Sequence, residues 1–137
     1  MPNPVSDTST DDVQSVTATA RQKAEEMDLA MNITVVDAGA NLEGFLRMDG
    51  VWLGSVDVAI EKAETARYFD MNSGQVGELS QPGGSLYGIE HLNGGLISFP
   101  GGVTLEDASS NVTGAVGVSG STVDDDHEVA SAGAEVL

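Results

Sequence analysis

The chain contains no cysteine, which excludes a disulfide scaffold, a zinc ribbon and a thiol nucleophile. Bases are nearly as scarce. Five lysines and arginines stand against 22 acids, a formal net charge of −17. A surface of that sign repels nucleic-acid phosphates and anionic membranes, so neither is an expected partner. Aromatic residues are 4% of the chain, which leaves the core to Val, Ile, Leu, Ala and Met. No apolar run approaches the roughly 18 residues of a membrane span. The start, MPNPVSDTSTDD, is polar and acidic, unlike a secretory signal. The expected location is cytoplasmic.

What is present begins with length. With 137 residues the chain suits one domain with a real core. Its acids are dispersed through linkers and polar helix faces rather than gathered in a tail. A dispersed acidic surface with two lysines, Lys23 and Lys62, fits work in high salt. There the Debye length shrinks to about 3 Å near 1 M and self-repulsion is screened.

Residues 1–9 are expected to be a disordered lead, and 10–137 one domain. Ser9 or Thr10 caps a first helix over about 10–28, with Val13, Val16, Ala20, Ala24 and Met27 at helical spacing. Residues 31–36 and 42–48 read as strands of a hairpin whose turn has Gly39 and Asn41 for positive φ. A helix over about 53–69 turns Val56, Ala59, Ile60 and Ala63 inward and Asp57, Glu61 and Glu64 outward. Residues 70–95 are irregular, with room for short helical turns. Strands are expected at 96–99, 103–105 and 111–119. Thr122 then opens a closing helix, with Asp124, Asp125 and Asp126 in its first turn, where the helix dipole favours acids. This order predicts an antiparallel sheet covered by helices.

In the segment GAVGVSGST (114–122) the glycines suggest a phosphate loop, but the P-loop lysine is missing and three aspartates follow. On one strand face lie Thr113, Ala115, Gly117 and Ser119, all small, which points to close helix or subunit packing. His127 falls on the apolar stripe of the last helix, where a local hydrogen bond is expected. His91 sits in the loop YGIEHLNGG and reads either as an axial ligand for a haem or corrinoid or as a solvated loop tip. Glu61 and Glu64 form an E-x-x-E pair that suits weak iron or hard-cation binding or a solvated face. Arg47, one of three arginines, is expected to pair Asp37, Asp49 or a ligand's acid group. No catalytic grouping stands out by spacing.

Four stretches together resemble the GlcG/HbpS family of haem-binding and haem-degrading domains, which recurs at the C-terminus of PduO-type proteins. They are VVDAGANLEGFLRMDG (35–50), SVDVAIEKAETARYF (55–69), GGLISFPGGVTL (94–105) and GAVGVSGSTVDDDHEVASAGAEVL (114–137). The resemblance implies an α+β, profilin-like three-layer sandwich with a five-stranded antiparallel sheet and flanking helices. It implies a homo-oligomer, commonly an octamer, that binds haem or a related tetrapyrrole, with slow haem breakdown in some members. His91 is then the one loop histidine available to haem, with Thr104 and Arg47 as further contacts. Thr104 departs from the proline that often follows the glycine turn. The rival readings are a cofactor-free assembly module of glycolate, corrinoid or diol metabolism, and a weak iron binder through Glu61 and Glu64.

The acidic surface generates a direct expectation. Unfolding midpoints should fall as salt is lowered from molar to millimolar, because self-repulsion is then unscreened. Midpoints independent of salt in thermal scans would remove the high-salt reading.

Overall fold

The computed structural model describes residues 7–137. Residues 1–6 of the expected lead lie outside that range. At its other end Thr8 is buried, its hydroxyl donating to the Thr113 carbonyl at 2.8 Å.

Ser9 starts the first helix. Its Oγ accepts the Asp12 N–H at 3.0 Å, and the Asp12 carboxylate accepts the Ser9 N–H at 3.1 Å. Two N–H groups that the helix end leaves open are thereby satisfied. Helix α1 spans Thr10–Glu26 and buries Val13, Val16, Ala20 and Ala24. Strands β1 (Asn32–Val36) and β2 (Leu42–Arg47) follow as a hairpin. In its turn the Asp37 carboxylate accepts the N–H groups of Gly39 and Asn41. The left-handed residue there is Ala40, at φ 61°, in place of the glycine or asparagine expected.

Helix α2 is Ser55–Phe69 and α3 is Ser73–Leu79, with a 3-10 turn at Ile89–His91. Strand β3 is Gly102–Glu106, β4 is Val112–Ser119, and α4 is Val123–Ala134. Among the described residues the sheet has four strands in the order β2-β1-β4-β3, every neighbouring pair antiparallel. Helices α1 and α4 pack together on one face, and α2 lies on the other with α3 beside it. The architecture is α+β in three layers.

The expected fifth strand at 96–99 is absent. Its backbone groups bond to helix side chains rather than to a neighbouring strand. The Ile97 N–H donates to Thr65 Oγ1 at 3.1 Å, and the Phe99 carbonyl accepts from Ser73 Oγ at 2.7 Å. Gly77 of α3 lies so close that a Cβ there would stand 1.8 Å from the Ser98 carbonyl oxygen. The same loop closes off the sheet. Ser73 Oγ accepts the Gly102 N–H and Asn72 Oδ1 the Thr104 N–H, so two free-edge donors of β3 are capped.

The two faces of the sheet are built differently. Toward α1 and α4 the core is Ile33, Val35, Val103, Leu105, Val116 and Val118 against Val16, Ala20 and Val129. Toward α2 it is small: Val36 and Ala115 meet Ala63 and Ala66. Gly117 lets the helix descend onto the strand, since a Cβ there would lie 2.1 Å from the Ala59 carbonyl oxygen and 2.6 Å from the Ala63 nitrogen. The all-small face of β4 is therefore a helix-packing surface. Helix α2 is also rotated from the expected stripe. It buries Ala59, Lys62, Ala63, Thr65 and Ala66, leaving Val56 and Ile60 half-exposed.

Gly117→Ala should accordingly destabilise the fold by at least about 1–3 kcal/mol, because the contacts it creates are with backbone. Gly54→Ala, at φ −63° with nothing within 4 Å of the new Cβ, should be neutral or slightly stabilising. Urea midpoints of the two variants provide the comparison, and equal midpoints would refute the close-packing account.

Candidate functional site

The sequence-selected residues are dispersed over the molecule. Arg47 ends β2, one edge of the sheet, and is exposed. Thr104 lies on β3, the opposite edge, half-buried beside Asn72. Three strand spacings of about 4.8 Å separate those two edges, with α2 standing between them. His91 closes the 3-10 turn and is exposed. One protomer therefore does not gather His91, Thr104 and Arg47 into one pocket. Among the described residues Arg47 makes no ion pair, with Asp37, Asp49 or any other acid.

Glu61 and Glu64 share the outer side of α2. The Glu61 carboxyl is pushed up from its ordinary value, first by partial burial and then by the charges of Glu64 and Asp57. Glu64 accepts a long bond from the Tyr68 hydroxyl at 3.4 Å. A second acidic group, Asp7, Asp37 and Glu43, has carboxylate oxygens within 4.8 Å of one another. His127 is half-buried and its Nε2 lies 3.3 Å from Ser131 Oγ, the local bond expected of it.

The group that sequence reading passed over is Lys62. Its side chain is fully buried. Nζ donates to Asp126 Oδ2 at 2.8 Å and to the Val118 carbonyl at 2.9 Å, and lies 5.1 Å from the centre of the Phe99 ring. Asp126 is buried too, and its other oxygen accepts the Ser121 N–H at 3.0 Å. Of the three first-turn aspartates of α4, one thus serves the interior. The glycine turn is shaped around this lysine. A Cβ on Gly101, at φ 133°, would stand 2.5 Å from Lys62 Nζ, and one on Gly102 would stand 2.2 Å from the Lys62 carbonyl oxygen. One signal was legible: Lys62 sits among Ala59, Ala63 and Ala66, on the small-residue stripe of α2. Burial pushes the Lys62 ammonium down and the Asp126 carboxyl up, each partly restored by the partner's bond and charge.

The surface carries grooves at both sheet edges. Two adjoin one another along α1 and β2, of about 540 and 510 Å³, sharing Arg21, Glu25 and Leu46. The first includes Arg47 and Met48; the second is walled by Val13, Ala18 and Phe45. On the other side, grooves around Asn72, Thr104 and His127 are lined by no arginine. Volumes of this size suit small organic ligands. The grooves beside α1 and β2 hold Glu25, Asp28 and Asp49 as well as Arg21 and Arg47 and no histidine, whereas His91, a residue able to ligate iron, is exposed on its own loop.

Comparisons with known proteins agree with one another. Residues 9–135 match the family described as haem-degrading protein, HbpS-like. A 15.0 kDa protein of the dhaT–dhaS intergenic region of Citrobacter freundii is 37% identical over 108 residues, 79% of this chain and 76% of that one. Corrinoid adenosyltransferase PduO of Salmonella typhimurium is 31% identical over 87% of this chain, which spans 35% of that longer protein. Among solved structures, the PduOC:haem complex superposes with a TM-score of 0.89 at 29% identity, covering 94% of each chain.

The buried pair makes a signed prediction. Lys62→Met leaves a carboxylate without its counter-ion and should cost about 3–5 kcal/mol at neutral pH. Asp126 already titrates above the ordinary 3.8 of an exposed aspartate, and loss of the lysine raises it further. A raised carboxyl stabilises the fold fully below its unfolded value and loses that contribution as pH rises through its folded value. The deficit of Lys62→Met should therefore shrink as pH falls from neutral toward 4. Urea titrations at several pH values decide it, and a deficit that is constant or grows in acid would contradict the assignment.

Proposed function

This chain belongs to the HbpS-like family, and on that premise we propose that it is a haem-binding protein working as a homo-oligomer, commonly an octamer in this family. The observation that supports the reading most directly is the superposition on the PduOC:haem complex over 94% of both chains. The haem is read as lying between protomers or in the cleft of the 70–105 region, where His91 is exposed. Because His91, Thr104 and Arg47 stand apart on one protomer, they serve a haem held between protomers. His91 is then the axial ligand, with Thr104 and Arg47 at the periphery. Its role is binding rather than dedicated catalysis. When haem is bound, any slow oxidative breakdown is chemistry that haem supplies, and the protein's part is to orient the ring and exclude water. The dispersed acids support a setting in high salt. The domain is read as one unit over 10–137.

A second reading rests on Glu61, Glu64 and Asp57. Glu61 is raised first by partial burial and then by the charges of Glu64 and Asp57; a cation relieves the repulsion, so weak iron binding at Glu61 and Glu64 is a separate activity of α2.

Haemin titrated into the protein in high salt should give a saturable Soret shift, and His91→Ala should change the spectrum of the bound state. Absence of saturable binding by the wild type would sink the haem reading, whereas an unchanged His91→Ala spectrum would remove only the ligand assignment. Equilibrium dialysis with ferrous iron, comparing Glu61→Gln/Glu64→Gln, tests the second reading, which falls if the variant binds as much iron.

A further inference from the structure

The two edges of the sheet are finished differently. On β3 the side chains of Ser73 and Asn72 accept the outward N–H groups of Gly102 and Thr104. On β2, the other edge, Met48 N–H donates to the Met31 carbonyl. Residues 46 and 33 therefore exchange the next pair of bonds in this antiparallel register, and Phe45 and Arg47 turn their N–H and C=O groups outward. Among the described residues nothing takes up those groups. The strand also has neither proline nor lysine, two residues that commonly discourage pairing at an edge.

Charge is distributed unevenly along this edge. Phe45 and Arg47 stand opposite Thr34 and Asn32, on the α2 face of the sheet. Helix α2 packs on β4, β1 and β3 and stops short of β2, so Leu42 and Phe45 remain 58% and 36% exposed. Glu43 is the extra residue of a bulge between Leu42 and Gly44. Gly44 faces Val13 of α1, so alternation puts Glu43 on the same face as Phe45 and Arg47. The Glu43 carboxylate lies within 4.8 Å of those of Asp7 and Asp37. Partial burial, and then the charges of Asp7, Asp37 and Asp12, push it up from its ordinary value. Arg47, at the other end of the strand, makes no ion pair among the described residues, and Glu25, Asp28 and Asp49 in the neighbouring groove are out of its reach.

We propose that the β2 edge is an interface with a second copy of this chain, the two strands running antiparallel about a two-fold axis at Phe45. Pairing Phe45 with its own copy sets Glu43 of each chain opposite Arg47 of the other. The strand is thus its own complement, as a two-fold interface requires. Each acid-rich end meets an unpaired guanidinium, and the contact is made twice. A parallel approach would set like charges side by side, so the charges select the antiparallel register. The two Phe45 rings meet at the axis, on the face that α2 leaves bare, as an aromatic cross-strand pair. The two sheets become one continuous sheet. This deepens the homo-oligomer reading and rests on it. A forked bond from Arg47 to Glu43 leaves other donors of the guanidinium for a haem held between protomers.

Sedimentation of the intact protein over a dilution series, in moderate salt where exposed pairs still act, reads the association. Arg47→Glu and Glu43→Arg should each weaken it by about tenfold or more, because each reversal places like charges together twice. Glu43→Arg also makes the chain less acidic, so overall repulsion predicts the opposite sign. The double variant Glu43→Arg/Arg47→Glu rebuilds both pairs and should recover wild-type association. The chain has no cysteine, so Phe45→Cys supplies a single thiol. Paired Cα atoms about 5.5 Å apart are within disulfide reach, and mild oxidation should give a covalent dimer. Far-UV circular dichroism checks that each variant is folded. Single reversals of unaltered association overturn the edge assignment and leave the homo-oligomer reading standing; so does a double variant as weak as the singles. An assembled Phe45→Cys protein that yields no covalent dimer overturns the register. Lost haemin binding at unchanged mass gives the edge to the ligand and overturns the pairing. A wild type that is monomeric at every concentration overturns both readings.

Discussion

The interior of this protein is organised around an ammonium group. Lys62 reaches from α2 past the end of the sheet to Asp126 on α4, touching the Val118 carbonyl of β4 and the Phe99 ring on the way. Two charges removed from water cost several kcal/mol each, and attraction within the pair offsets this only when the geometry is well defined. The surroundings supply that geometry. Gly101 and Gly102 leave room for the lysine, Ser121 holds the far oxygen of Asp126, and Thr122 fixes the start of α4 by accepting the Asp125 N–H. Displacing any of these pieces would leave a charge without a partner, so the pair sets how α2 and α4, on opposite faces of the sheet, are placed relative to one another.

The glycines read as a consequence. Gly117 and Gly102 face the backbone of α2 at distances no side chain tolerates, and this close approach brings Lys62 within reach of Val118. Gly77 plays the same part between α3 and the loop before β3. That loop is ordered through side chains, Ser73, Thr65 and Asn72, which take up the hydrogen bonds a fifth strand would have used. One sheet edge is therefore closed by polar side chains. The other, β2, stays open next to α1 and ends on Arg47.

Much of the fold was legible. Helices α1, α2 and α4 and the four strands follow from apolar period and punctuation, which are local patterns, and Ser9, Asp37 and Thr122 mark ends that one residue's hydrogen bond decides. The strand expected at 96–99 failed for the converse reason. Leu96 to Phe99 is apolar enough for a strand, but its partners, Thr65 and Ser73, are more than twenty residues away and are side chains. The site was less legible. His91, Thr104 and Arg47 were chosen one at a time for their chemistry, and nothing in spacing along the chain says that two of them stand on opposite sheet edges.

Sequence alone determined the family, the layer composition, the exclusion of thiol chemistry and the large excess of negative charge. Those depend on composition and on patterns a few residues long. Tertiary structure decided which of two lysines is buried and which of three consecutive aspartates faces inward. Each depends on residues far apart in the chain, such as 62 with 126. A charge written in a sequence has no environment until the fold supplies its partner and its distance from water.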